Sequence, residues 1–84
     1  MLFAMPHKSI LAGDKSLRAL GAAVRSTRKE LGLSQEDLAV DAEVERSYLG
    51  AIERGEVNVT LMVLTRICSA LHVKPSKLLS DGGL

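Results

Sequence analysis

Along most of this chain, apolar residues return every three or four positions, the period of an α-helix buried on one side. From Leu17 they fall at Leu20, Val24 and Leu31, with the small Gly21 between them. That stripe predicts a first helix, which Gly32 stops. Ser34 offers a cap for a second helix beginning at Gln35, with Glu36 and Asp37 in its first turn, where acids suit the helix dipole. Leu38, Ala39 and Ala42 form its inner side. After a break at residues 43–45 a third helix is predicted over residues 46–54, with Leu49 and Ile52 inward and Gly55 closing it. "EVNVT" reads as a loop whose Thr60 caps a fourth helix with the stripe Leu61, Leu64, Ile67, Cys68 and Leu71. Pro75 suits the first position of a short fifth helix, ending before "SDGG", in which Leu78 and Leu79 are available to pack. Strand alternation, repeats and low-complexity tracts are absent. The expected fold class is therefore all-α, five short helices joined by tight turns.

Two helices of about eight residues each are too short to be stable alone and must be held by their neighbours. The small Ala39 in the middle of the second helix lets the third cross it closely and steeply. That is the geometry of a helix-turn-helix, whose second helix fits the roughly 12 Å major groove of DNA. Residues 17–80, carrying "SQEDLA" and "ERSYLGAIERGEVNVT" in order, resemble the lambda-repressor-like (Cro/CI, XRE) helix-turn-helix family. Within that family they are similar to the controller proteins of restriction–modification systems.

The resemblance implies roles for individual residues. Gln35 stands where the family sets an amide and a helix start against a phosphate. Arg46 and Ser47 stand at the base-reading start of the third helix, with Gly50 and Ala51 one turn later. The chemistry agrees: arginine bonds guanine bidentately, worth roughly 1–3 kcal/mol of discrimination, and a serine hydroxyl donates or accepts. Gly50 and Ala51 are small enough for close approach, and Ala51 suits a thymine methyl. Glu45 can accept from a cytosine amine or orient Arg46; orientation is the expected role. Phosphate contacts are expected from Gln35, Tyr48, Asn58 and Thr60, with Tyr48 equally suited to the rim of the core. Without the motif, Arg46 would read as a solvated cation, unfavourable beside a helix N-terminus; Arg54 is a weaker candidate, and Lys29 reads as solvated.

Arg28 lies close to the stripe of the first helix and Glu53 beside Ile52. A lone buried charge costs several kcal/mol, so each predicts the other. The resemblance implies a salt bridge joining the first and third helices there. One departure stands at Glu43, where many relatives have glycine. If the turn requires a left-handed residue, the side chain costs roughly 1–2 kcal/mol.

Composition narrows the remaining possibilities. The 84 residues suit one domain with a thin core. With a single cysteine, Cys68, neither an intrachain disulfide nor a multi-cysteine metal site can form, which leaves association as the stabilising device. Cys68 and His72 are spaced i,i+4, but a cysteine on a Leu/Ile stripe reads as inert core and two ligands do not close a zinc site. No cofactor, metal or catalytic group is expected. The eleven Lys and Arg against ten Asp and Glu give a charge of +1, which argues against nonspecific coating of nucleic acid. The distribution is uneven: Lys15, Arg18, Arg25, Arg28 and Lys29 precede an acidic run of Glu36, Asp37, Asp41, Glu43 and Glu45. No apolar run approaches the roughly 18–20 residues that span a bilayer, so no membrane partner is expected. Residues 1–16 lack the basic start of a signal peptide and read as an arm, residues 17–80 as the DNA-binding domain and residues 81–84 as a tail; cytoplasmic residence follows.

The expectation for function is a sequence-specific transcription regulator that binds double-stranded DNA at a palindromic operator as a homodimer. Its recognition helices would be spaced by one turn of DNA, roughly 34–36 Å. Val73, Leu78 and Leu79, on and beside the last two helices, are the expected dimer surface. Control by concentration is expected, with no small-molecule effector. An antitoxin-type autorepressor and a protein-interaction module on the same fold are the alternatives.

Overall fold

The structure, a computed structural model, describes residues 10–84, and five helices make up its architecture. They are α1 (Lys15–Glu30), α2 (Gln35–Ala42), α3 (Arg46–Glu53), α4 (Leu61–Leu71) and α5 (Pro75–Asp81). Among the described residues there is no strand.

Helix α1 starts two residues before the apolar stripe does. The Asp14 carboxylate accepts from the Ser16 N–H at 2.8 Å and caps the helix. Lys15 and Ser16, expected in the arm, therefore belong to the domain. Residues 10–13 form a turn fastened just beyond the C-terminal end of α3, where the Gly13 N–H donates to the Gly55 carbonyl at 2.9 Å. The rest of the expected arm, residues 1–9, lies outside the described residues. At the other end Gly32 takes a left-handed φ of 71° and its N–H closes the helix on the Lys29 carbonyl. Leu31 does not join the stripe: it is the C-cap, half-exposed, because the chain is already leaving the helix there.

Helix α2 has a capping box. The Ser34 hydroxyl accepts from the Asp37 N–H, and the Asp37 carboxylate accepts from the Ser34 N–H, each at 3.0 Å. Those bonds from Ser34 hold the Asp37 carboxyl below the usual carboxylate range. The helix ends at Glu43, left-handed at φ 57° and ψ 45°, and the Val44 N–H donates back to the Ala39 carbonyl at 2.9 Å. The conformation that favours glycine is thus occupied by a side chain.

The loop after α3 is anchored by Val57, which is buried. The Thr60 hydroxyl accepts from the Val63 N–H and caps α4. Leu61 is 71% exposed, outside the stripe, since it is the first helical residue and faces away from the core. Leu64, Ile67, Cys68 and Leu71 carry the buried side of α4. Pro75 opens α5, which runs into the segment expected to end it and stops at Asp81.

Helix α1 packs on α3 and α5, and α2 lies against α3 and α4. The largest fully enclosed side chains are Val24, Leu38, Leu49, Ile52, Ile67, Cys68, Leu71 and Leu78, drawn from all five helices. Leu78 is consequently unavailable to a second subunit. Helix α5 packs on α1 and α4 and sets that side chain in the core. Gly21 sets the distance between α1 and α3, since a β-carbon there would collide with the Ile52 carbonyl oxygen.

Candidate nucleic-acid interface

Helix α3 exposes little more than its start. Glu45, Arg46 and Ser47 are open to solvent and Tyr48 is half-buried, whereas residues 49–53 are all buried. The helix is wedged between α1 and α2, so two of its sides are covered. This overturns the expectation for Ala51, which is wholly enclosed in the core and presents no methyl outward. Gly50 is buried as well. A β-carbon on it would lie 3.1 Å from Arg54 Nη1 and 3.6 Å from Gln35 Oε1, so the missing side chain makes room for these two residues, not for an incoming backbone.

Beneath the exposed turn runs a line of polar contacts. Arg28 and Glu53 meet: Nε donates to Glu53 Oε2 at 2.7 Å and Nη2 to Oε1 at 3.0 Å, with side chains 9% and 3% exposed. Arg28 Nη1 donates to the Leu33 carbonyl at 2.8 Å, tying in the turn between α1 and α2. The hydrogen bond to Glu53 raises the Arg28 pKa, with burial opposing it. Gln35 Nε2 donates to Glu53 Oε1 at 2.9 Å, and Gln35 Oε1 accepts from Arg46 Nη1 at 3.3 Å. Both ends of the amide expected on a phosphate are therefore engaged within the chain. Arg46 thus has an orienting acceptor in Gln35. Among the described residues no buried side-chain nitrogen or oxygen lacks a partner.

Asn58 and Thr60 are exposed, with the Thr60 hydroxyl at the start of α4. Burial raises the Tyr48 pKa. Glu45 occupies the cap of α3 without a side-chain hydrogen bond to its amides. Val73 and Leu79 are half-buried at the edge of the core, away from α3 in sequence.

Sequence reading missed two contributors. Val57 lies in a polar loop with no periodicity to reveal it. The bond from Gln35 to Glu53 joins residues eighteen apart on different helices, and no local spacing signals it. Cys68 is enclosed and burial pushes its thiol pKa up, which suits inert core. Among the described residues no three His, Cys, Asp or Glu side chains gather as metal ligands, and no helix is long and apolar enough to cross a membrane.

Residues 19–79 match the sequence profile of a helix-turn-helix domain. The chain is similar to the control protein C.SmaI of Serratia marcescens, 45% identical over 65 residues covering 77% of either chain. Its fold is similar to that of the restriction–modification controller protein C.AhdI from Aeromonas hydrophila. There the TM-score is 0.73 and the identity 40%, over 74% of this chain and 94% of the other. It is also similar to C.Esp1396I bound to a 19 base pair DNA duplex, with TM-score 0.73 and 30% identity over 82% of this chain and 96% of that one. Profile, identity and fold agree, and this chain belongs to the helix-turn-helix family that includes the restriction–modification controller proteins.

Proposed function

We propose that this chain is a sequence-specific DNA-binding transcription regulator of the controller type, acting in the cytoplasm as a homodimer on a palindromic operator. The observation that carries the reading is the first turn of α3: Arg46 and Ser47 stand exposed on a helix otherwise sunk in the domain. Such a turn enters a major groove end-on. Arg46 reads guanine O6 and N7, and Ser47 contacts a neighbouring base edge. Phosphates on either side are held by the backbone N–H groups at the starts of α2 and α4, with Asn58, Thr60 and Tyr48. At Gln35 the phosphate contact comes from the backbone N–H of the first residue of α2, since the side chain is engaged inside.

The chain works by occupancy of DNA, not by turnover. A domain presenting one short reading turn gains specificity by being used twice, with the two turns about 34–36 Å apart. The second copy docks on the edge formed by α4 and α5, where Val73 and Leu79 remain half-buried and Leu61 and Met62 on α4 are exposed. Binding to the DNA upstream of the chain's own gene tests the function. Gel-shift titrations over a range of salt are expected to give a specific complex whose affinity falls as salt rises. Arg46→Ala is expected to lose roughly 1–3 kcal/mol of discrimination at one base pair of each half-site. Equal affinity of parent and variant for cognate and scrambled DNA would rule the reading out.

A further inference from the structure

The contacts beneath α3 have a direction. Arg28 can only donate and the Glu53 carboxylate can only accept. Glu53 takes two bonds from Arg28 and a third from Gln35 Nε2. Reversing the Gln35 amide would set its carbonyl against a buried carboxylate and its NH₂ against a guanidinium, two contacts of like polarity. One sense of the amide is permitted, and in that sense Oε1 faces Arg46. Gly50 is the floor beneath, with the amide lying where a β-carbon would touch it at 3.6 and 3.8 Å.

From this geometry we infer that Glu53 and Gln35 are positioning residues for Arg46. The buried ion pair sets the sense of one amide, and that amide holds the base-reading arginine before DNA arrives. An arginine already held loses less rotamer freedom when it docks on a base, which favours the one base it is aimed at. The Arg28–Glu53 pair thus acts in specificity as well as in joining α1 to α3. The inference rests on the DNA-binding reading above and goes beyond it, because it assigns discrimination to two side chains that touch no base.

The test uses the full chain with Gln35→Met, which keeps length and packing but removes both bonds, and Gln35→Ala beside it. In the DNA-free protein, ¹⁵N relaxation of the Arg46 Nε–H group is expected to show a held side chain that becomes mobile in both variants. On DNA, both are expected to lose roughly threefold to tenfold discrimination, the range of one such bond. The loss should fall at the same base pair that Arg46→Ala ceases to distinguish, with the salt slope unchanged. Placed in the Arg46→Ala background, either substitution should then change discrimination no further. Uniform weakening on every sequence, with Arg46 equally mobile in parent and variants, would make Gln35 a phosphate contact and overturn the inference. A parent chain that prefers no DNA sequence gives a different result. It removes the proposed function, and with it the use of the relay, whatever the mobility of the free arginine.

Discussion

Glu43 holds the backbone of the turn between α2 and α3 in a left-handed conformation, φ 57°, that L side chains adopt at a cost of roughly 1–2 kcal/mol. Its carboxylate is exposed, so little packing is lost by removing it. Glu43→Gly relieves the strain but frees the unfolded chain, which takes back part of the gain. A net stabilisation of about 0.5–1 kcal/mol is expected, a few degrees in Tm by calorimetry, with DNA specificity intact; a lower Tm would show that the turn is not strained. The strain at Glu43 has a source outside the turn. The residue's position in the turn follows from the motif, but whether the strain is present depends on the path that α3 must take to reach α1. Ala51 teaches the converse. Its small size suits both a base contact and a tight core, and composition does not separate the two. The packing of α3 on both α1 and α2 does.

Helix α3 is short, capped without a side-chain bond, and stable only because its neighbours enclose it. Its angle to α1 is held at two places. Gly21 allows the close approach to the carbonyls of Ile52 and Glu53, and the Arg28–Glu53 pair joins the same two helices. Gly21→Ala has no room, because the obstacle is backbone. The helices must separate, and a loss of about 1–3 kcal/mol is expected in urea denaturation. A variant as stable as the parent would mean that the two helices slide apart freely. Helix ends were readable where a cap is local: Ser34, Thr60 and Pro75 each act within a turn of where the helix begins. The start of α1 was not, since Asp14 and Ser16 lie outside the apolar stripe that announces the helix. Leu31 and Leu61 continue a periodic pattern past the part of each helix that faces anything.

A domain this thin buries Leu78 completely and leaves Val73 and Leu79 only half-covered. A second copy on the α4–α5 edge would complete their burial, as the proposed homodimer requires. Leu79→Asp is therefore expected to shift the chain from dimer to monomer in analytical ultracentrifugation while the helical circular dichroism persists. Operator affinity should then fall steeply, as two half-sites cease to be bound together. A variant that stays dimeric would move the interface to another surface. The proposed reading turn and the proposed dimer edge belong to different helices, so a change in one is expected to leave the other's chemistry in place.

The number, order and approximate limits of the helices, and the identity of Arg46 and Ser47 as the exposed start of α3, were all present in the order of residues. Helical spacing, caps and turn glycines act over a few positions and need no distant partner. The folded chain alone decided that Ala51 and Leu78 are core, that Gly50 lies under side chains, and that Gln35 spans Glu53 and Arg46. Periodicity tells which side of a helix is apolar. It does not tell how many other helices cover that side, nor which polar atoms from separate helices arrive at hydrogen-bonding distance.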